Sequence, residues 1–313
     1  MKTIETGSVA LIKSAPANTR DGRALTLNRA PSDDLSPWIA RVYATHGVPD
    51  MRDWLRCGIL ADTHYLRVLM EGHWGADTRD GEATFERRVL FFGQNSKEMP
   101  VRLRGTFRST GLAFKAGAAT VLGAPEARDT LDCILGYDRL GGSEAALLER
   151  CDRGSDPHDW MAALEDCFRL LLEEQGVTLP DPIATAFERQ SFVDPTQPIS
   201  RFARAHDIST RQLERIVRRD FGLTPKQVMR RARVLDLAAN LRGVAEQDEA
   251  EELALRYFDQ SHVNRDFLEF FGMTPVRFLR TEMPLMTMAL EQRQARRLEV
   301  IGRLADGERR PWE

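Results

Sequence analysis

The sequence predicts an α+β protein, in which a small antiparallel sheet or barrel with helices precedes an all-helical C-terminal domain. Three observations predict this fold class. Partial alternation of apolar and polar residues, broken by glycines, occurs in segments 63–74, 83–93 and 100–114. Four prolines fall within nineteen residues between positions 180 and 198. After these prolines the periodicity is almost wholly helical, and strand patterns disappear.

The chain of 313 residues is long enough for two hydrophobic cores, and the prolines mark where the first core ends. We therefore expect an N-terminal domain over residues 1–180, a proline-containing linker over 181–195, a helical domain over 196–283 and a helical tail over 284–313. The first 58 residues carry no regular pattern, so we expect irregular structure there. A helix is expected over 125–135.

A further helix is predicted from Asp156 to Gln175, where Gly176 ends the helical spacing. One face of it is apolar and consists of Trp160, Leu164, Phe168 and Leu171. Such a face must be buried. It packs either against the sheet of its own domain or against the same helix of a second subunit, in which case the protein is a homodimer.

Composition excludes several classes of protein. No run of eighteen apolar residues is present, and Met1 to Glu5 do not begin a signal peptide, so we expect a cytoplasmic protein without a membrane segment. The four cysteines lie far apart without a CxxC pair, which argues against a zinc ribbon and against disulfides.

Charge is distributed unevenly along the chain. The whole sequence carries a formal charge of -3, but residues 199–242 hold ten Arg and one Lys against four acids. Arginine presents a planar fork of donors that suits phosphates and guanine edges. This basic segment indicates a nucleic-acid partner.

A five-residue motif occurs twice in the helical domain. Residues 221–225 read F-G-L-T-P and residues 271–275 read F-G-M-T-P, fifty positions later. Glycine at a helix C-terminus accepts the left-handed conformation, and Thr-Pro caps and starts the next helix. The repeat therefore predicts two copies of one helical unit.

The helix before each motif is amphipathic. In the first copy Ser209 and Gln212 form a predicted capping box, and the apolar face leaves Arg211, Glu214, Arg215 and Arg218 outward. In the second copy Asp259 occupies the cap position, and Gln260, Ser261, His262 and Arg265 lie near the helix start. Short polar residues at a helix N-terminus are typical of a helix that meets base edges.

The span from Ile199 to about Leu279 resembles the AraC/XylS class of bacterial transcription regulators. The resemblance rests on Leu213-Glu214-Arg215 followed by F-G-L-T-P, and on the block Asp259-Gln260-Ser261-His262 followed by F-G-M-T-P. It implies a DNA-binding domain with two helix-turn-helix units joined by a long helix. A looser resemblance to the N-terminal half of some of these regulators covers residues 100–140.

The resemblance implies which residues read DNA. Base contacts of the family fall on Arg211, Glu214 and Arg215 in the first unit and on Gln260, Ser261, His262 and Arg265 in the second. Arg211 and Arg215 suit guanine and Gln260 suits adenine, whereas Glu214 either accepts from cytosine or orients the two arginines. We expect phosphate contacts from Arg218, Arg219, Arg230 and Arg231.

The turns of the two units depart from the family, which usually has glycine there. Asp207 in the first turn tolerates the left-handed conformation, whereas Arg256 in the second tolerates it poorly. The segment 243–252 is also acidic. We expect phosphate attraction to be centred on the first unit.

These observations favour a sequence-specific transcription regulator with an N-terminal sensor or dimerisation domain. Its expected partners are double-stranded DNA, a small-molecule effector, RNA polymerase and a second copy of the chain; no cofactor, metal or catalytic residue is expected. Two alternatives stay open, an enzyme with a metal-binding N-terminal barrel and a protein-interaction module. His46, His64 and His73 lack the spacing of metal ligands, and the cysteines lack basic neighbours except Cys57 beside Arg56.

Overall fold

The computed structural model describes residues 26–46, 54–245 and 260–302, and its N-terminal part is built around one antiparallel sheet. The strands are β1 (Thr26–Arg29), β2 (Ile39–His46), β3 (Leu55–Ile59), β4 (Tyr65–Thr78), β5 (Gly81–Phe92), β6 (Met99–Phe114) and β7 (Ile134–Gly136). They follow the order β1-β2-β6-β4-β5-β7, with β3 also paired to β6. The predicted α+β fold with an N-terminal antiparallel sheet is confirmed.

The sheet is organised by its longest strand, β6. The second half of β6 pairs with β2, where Val42 faces Leu112, and the first half pairs with β3, where Cys57 faces Val101. Strand β4 bulges at Gly72, whose φ is +92° and where a Cβ atom would lie 2.6 Å from the Thr106 carbonyl. Only glycine fits this bulge without a shift of the backbone.

The strands predicted from alternation correspond to β4, β5 and β6. The expectation of irregular structure over the first 58 residues was wrong, because β1, β2 and most of β3 lie there. Strand β2 escaped detection because nearly all of its residues are buried on both faces, so its sequence does not alternate.

Four helices belong to the N-terminal part: α1 (Ala118–Val121), α2 (Ala127–Thr130), α3 (Glu144–Asp152) and α4 (Pro157–Gln175). The predicted helix over 125–135 is reduced to the single turn of α2. Helix α4 agrees with its prediction. Its Asp156 cap accepts the N–H groups of His158 and Asp159, and Gly176 ends it with a φ of +57°.

Helices fill the C-terminal part as predicted. They are α5 (Pro182–Val193), α6 (Ile199–Ala205), α7 (Thr210–Phe221), α8 (Pro225–Leu241), α9 (Gln260–Phe271), α10 (Pro275–Arg280) and α11 (Pro284–Ile301). The helical periodicity of the sequence also predicts a helix over 249–256, and this segment lies outside the described residues. Among those described, no helix combines the length and the apolar character needed to cross a bilayer.

Both faces of the sheet are covered. Helices α3 and α4 pack on one face, in a core that includes Val68, Phe91 and Phe168. Leu285 and Met288 of α11 pack on the other face beside Trp74 and Phe107. The sheet is therefore enclosed between two helical layers.

Helix α11, which lies within the expected helical tail, packs in the interior of the protein. Twelve of its residues are buried. They contact β3 and β2 of the sheet and also α5 and α8 of the helical part. Helix α11 thus packs against both the sheet and the helical part of the chain. Helix α5 occupies most of the segment that was expected to be a linker.

The apolar face of α4 is buried against its own sheet. Trp160, Leu164, Phe168 and Leu171 all belong to the core that includes Val42 and Leu112. All four residues of the apolar face take part in this contact. This packing excludes a homodimer formed through the apolar face of α4, which was one of the two alternatives from the sequence.

Replacing Leu171 with Glu is expected to unfold the protein rather than to separate subunits. Leu171 is 6% exposed, and a buried carboxylate without a partner costs several kcal/mol, roughly 3 or more. The adjacent Leu170 is 46% exposed and provides a matched control. Urea unfolding followed by circular dichroism should show a large loss for L171E and little change for L170E; equal stabilities of the two variants would contradict the packing.

Candidate nucleic-acid interface

The first helix-turn-helix unit consists of α6, a tight turn and α7. The turn passes through Asp207, whose φ of +54° is the left-handed conformation that the sequence predicted it would tolerate. The Oγ atom of Ser209 accepts the N–H of Gln212 at 3.1 Å and starts α7. A complete capping box, with both bonds present, occurs instead at Thr224 and Gln227 at the start of α8.

Helix α7 is held by its apolar face. Leu213, Ile216, Val217 and Phe221 pack against α5, α6 and α8 in one core, in which Phe187 contacts the rings of both Phe202 and Phe221. Phe187 belongs to α5. Helix α5 is therefore part of this unit, and a fragment beginning near residue 190 would lack Phe187 and both of these ring contacts.

The opposite face of α7 is open to solvent and polar. Six side chains there line one shallow depression: Ser209, Arg211, Gln212, Glu214, Arg215 and Arg218. Arg211 and Arg215 are exposed and form no hydrogen bond or ion pair with other residues of the described ranges. These two guanidinium groups are thus available to a ligand.

Glu214 has a different partner from the one that the sequence suggested. Its carboxylate accepts hydrogen bonds from Nε and Nη2 of Arg218 at 3.0 and 2.9 Å, an i,i+4 pair along the helix. Of the two roles considered for Glu214, orienting Arg211 and Arg215 finds no support in these contacts. One turn of α7 separates the pair, and this geometry favours Arg218.

Both copies of the repeated motif perform the predicted structural task. Gly222 ends α7 with a φ of +68° and Gly272 ends α9 with a φ of +62°. Thr224 caps α8, and Thr274 caps α10 by accepting the N–H of Arg277. In each copy of the motif, therefore, one helix ends at the glycine and the next is capped by the threonine, as the spacing of fifty residues predicted.

The second unit is described from Gln260 onward. Helix α9 begins at Gln260, but the side chains of Gln260, Ser261 and His262 lie outside the described part, as do Arg256 and Asp259. Arg265, one turn further, is exposed. Phe267, Phe270 and Phe271 form the buried face and pack with Phe278 of α10.

All four arginines predicted to bind phosphates form hydrogen bonds or ion pairs within the protein, and only Arg218 does so entirely on the exposed face of α7, with Glu214. Arg231 is 1% exposed and donates to the carbonyl oxygens of Asn95 and Asp62 and to the Gln94 side chain. The expectation that it contacts phosphate was wrong, because α8 turns it toward the sheet. Arg219 pairs with Asp181 and Asp220, and Arg230 pairs with Asp266 and Glu269.

A charged network that the sequence did not reveal joins α8, α11 and the loop after β3. The guanidinium of Arg293 pairs with Asp62 at 2.8 Å and with Asp236 at 2.5 Å. Burial raises the pKa of Asp62, but Arg293 and Arg231 outweigh it, so the pKa lies below its usual range. Each member sits far from the others in sequence, and no local pattern marks it.

The three histidines considered as metal ligands do not converge. His64 is buried beside Thr130, and burial followed by the charge of Arg231 lowers its pKa to about 3. His73 lies 3.6 Å from Glu86, and His46 meets the Trp160 ring edge-on. Burial also raises the pKa of the Cys57 thiol, so this cysteine is not activated despite its neighbour Arg56.

The paired helical boundaries, the buried aromatic cores and the open polar face of α7 define a helix-turn-helix DNA-binding protein. Residues 202–281 match the family model of a helix-turn-helix domain, and this region is of the AraC type. The C-terminal part of the chain accordingly contains a helix-turn-helix DNA-binding domain. The match spans both copies of the repeated motif and leaves the N-terminal part outside it.

Comparison with known proteins adds no close relative. No curated protein matches the chain. Among solved structures, ToxT from Vibrio cholerae in a crystal form at 1.65 Å resolution gives a TM-score of 0.47 at 8% identity, covering 82% of this chain and 98% of ToxT. The AraC-like transcriptional activator CuxR gives 0.27 at 12% identity, covering 69% and 88%.

Glu98 joins the sheet to the second unit through its backbone and carries a pH-sensitive carboxyl group. Its backbone N–H donates to the carbonyl of Phe270 at 2.6 Å, and burial raises the pKa of its carboxyl to about 7 despite the charge of Arg242. The folded protein therefore holds this proton more tightly than the unfolded chain. Stability contributed by the neutral form is lost as the pH rises from about 4.5 to about 7.

Replacing Glu98 with Gln should stabilise the protein at pH 8 by about 1 kcal/mol, a figure reduced for partial exposure, and should leave it unchanged at pH 4.5. Thermal unfolding at both pH values measures this. The exposed Glu82→Gln is the control and should have no effect at either pH. A stabilisation by E98Q that is the same at pH 4.5 and pH 8 would refute the role of titration.

Proposed function

We propose that this regulator reads DNA with the N-terminal turns of α7 and α9, placed in successive major grooves. The observation that carries the proposal is the pair of exposed, unpaired guanidinium groups of Arg211 and Arg215 on the face of α7 opposite its core. Both extend from a helix whose neighbours are fixed by packing, so the cost of ordering them on DNA falls on the side chains alone.

Each base-reading residue has a role that its chemistry suggests. Arg211 and Arg215 suit the O6 and N7 acceptors of guanine, and Gln260 suits adenine. Ser261, His262 and Arg265 complete the reading surface of α9. Glu214 serves chiefly to hold Arg218, and its free lone pairs can accept from cytosine.

Phosphate contacts come from exposed cations around the first unit. Arg218 is directed by Glu214, and Arg201, Arg204 and Lys226 are exposed without a described partner. We assign the phosphate contacts to these residues rather than to Arg219, Arg230 and Arg231, which bind carboxylates and carbonyl oxygens of the protein itself. The attraction for DNA is therefore centred on α6, α7 and the start of α8.

The spacing of the two units follows from α8. This helix of seventeen residues is about 26 Å long at 1.5 Å per residue. That length is compatible with two reading helices about one turn of DNA apart, roughly 34 Å. The two units should therefore contact one face of the duplex.

The N-terminal part supplies regulation in this proposal. A cavity lies between the sheet and α11 and is the place for a small-molecule effector. RNA polymerase and a second subunit are further partners in the cytoplasm. Any dimer forms through a surface other than the buried stripe of α4. The proposal includes no catalytic step.

The full-length protein should protect two adjacent major-groove segments on one face of DNA, about one helical turn apart. The measurement is footprinting at low salt, on a DNA site that has been selected from random sequence. The intact chain is used because α5 and α11 belong to the fold. Protection of a single groove would show that the second unit does not bind. Absence of any protected site would overturn the proposal.

Replacing Arg215 with Ala should lower affinity by about 1–3 kcal/mol at one or two base positions and relax preference there. Replacing Arg218 should weaken binding to all sequences alike and lower the salt slope by about one. Arg153→Ala, an exposed change directly after α3, is the control for both. Binding assays on specific and random DNA distinguish the roles, and equal losses for R215A on both would remove Arg215 from base reading.

A further inference from the structure

A cavity of about 100 Å³ lies between the face of the sheet and α11. Tyr65, Arg67 and Trp74 of β4 line it on one side, and Leu285 and Met288 of α11 line it on the other. Leu235 of α8 also contributes to the wall. The cavity is thus bounded both by the sheet and by helices of the DNA-binding part.

Several buried donors on β4 face this cavity without a partner. Nε and Nη1 of Arg67, the hydroxyl of Tyr65 and Nε1 of Trp74 are each buried, and none of these atoms has a hydrogen-bond partner in the described protein. The Arg67 guanidinium lies 3.9 Å from the centre of the Trp74 ring. Tyr65 stacks on Phe92, which fixes its position at the cavity wall.

Arg67 differs from the other arginines at the cavity. Arg293 pairs with Asp62 and Asp236, and Arg296 pairs with Glu188. Arg41 is bound by Asn28 and Glu299. Arg67 has no acidic partner among the described residues, although a guanidinium taken out of water needs an opposite charge.

The geometry points to a ligand site in which Arg67, with Tyr65 and Trp74, binds the carboxylate of a small organic monoanion whose apolar body contacts α11. This assignment rests on the proposed regulatory role of the cavity and names the chemical class of its effector. The unpartnered groups can all donate, so the ligand must accept hydrogen bonds. One uncompensated positive charge matches one negative charge, whereas a phosphate dianion would bring a second.

The apolar part of the ligand follows from the hydrocarbon portion of the wall, which also contains polar side chains such as Thr63 and Gln292. Ile59, Phe107, Leu285 and Met288 present hydrocarbon or aromatic surface. Such walls select a hydrophobic body beyond the carboxylate rather than a sugar or a polar amino acid. A ligand of this kind touches the sheet with its charged end and α11 with its apolar end.

Occupation of the cavity would act on DNA binding through α8 and α11. Leu235 lies on the helix that joins the two reading units, and α11 packs on α8 through Arg293 and Asp236. A ligand that fills this space therefore changes the packing of α8 directly. Its differential affinity for two arrangements of α8 sets the size of the regulatory effect.

The test titrates full-length protein with 4-phenylbutanoate, octanoate and benzoate, and with 4-phenylbutanamide as a neutral counterpart, by calorimetry and tryptophan fluorescence. Carboxylates with an apolar body should bind, and the amide should bind on the order of tenfold more weakly or not at all. Arg67→Met keeps the length of the side chain but removes the charge, and it should weaken carboxylate binding by a similar factor. Tyr65→Phe should weaken it by a smaller factor.

Arg56→Met, an exposed change on β3, is the matched control and should bind like the original protein. Circular dichroism establishes that each variant is folded. If no carboxylate binds at millimolar concentration, or if R67M binds them as the unchanged protein does, the assignment is overturned. DNA binding is measured separately without ligand, so failure of the ligand site and failure of DNA recognition are distinguished.

Discussion

The ion pairs of Arg293 hold together three parts of the molecule that are distant in sequence. Its guanidinium, on α11, meets Asp62 after β3 and Asp236 on α8. Arg293 and Asp236 are buried whereas Asp62 is partly exposed, so removal of Arg293 would leave the carboxylate of Asp236 unpaired inside the protein, a cost of about 3–5 kcal/mol. The sheet, the long helix between the two DNA-binding units and the last helix are consequently fixed relative to one another by a single side chain.

The parts of the fold that could be predicted from the sequence are those in which a local rule decides the structure. Gly222 and Gly272 end helices because they accept a positive φ, and Thr224 and Thr274 cap the next ones. Helix α4 was bounded by Asp156 and Gly176 for the same reasons. By contrast, β2 is buried throughout and does not alternate, and its place in the sheet depends on β6, seventy residues away.

The candidate site divides in the same way. Periodicity places Arg211 and Arg215 on the outer face of α7, where the structure has them exposed. Periodicity alone could not show that Arg231 faces the sheet, because the carbonyls that bind it come from Asn95 and Asp62. Nor could it reveal that Arg67 lacks a counterion, since that depends on which elements pack across the cavity. Buried charge is decided by tertiary contacts, and these are absent from any local pattern.

Attachment of the two proposed reading helices to the N-terminal part explains how the proposed sensor domain can be linked to DNA recognition without covering the surface that reads DNA. Helix α7 is held near its C-terminus, where Asp220 accepts from Thr120 and from the Gln94 side chain. Helix α9 is held at its C-terminus by the bond from Glu98 to Phe270. Helix-turn-helix proteins read bases with the N-terminal turn of the recognition helix. Because both contacts lie at the opposite end, a shift of the sheet relative to α8 and α11 would tilt each helix about its anchored end and move Arg211 and the start of α9 the most.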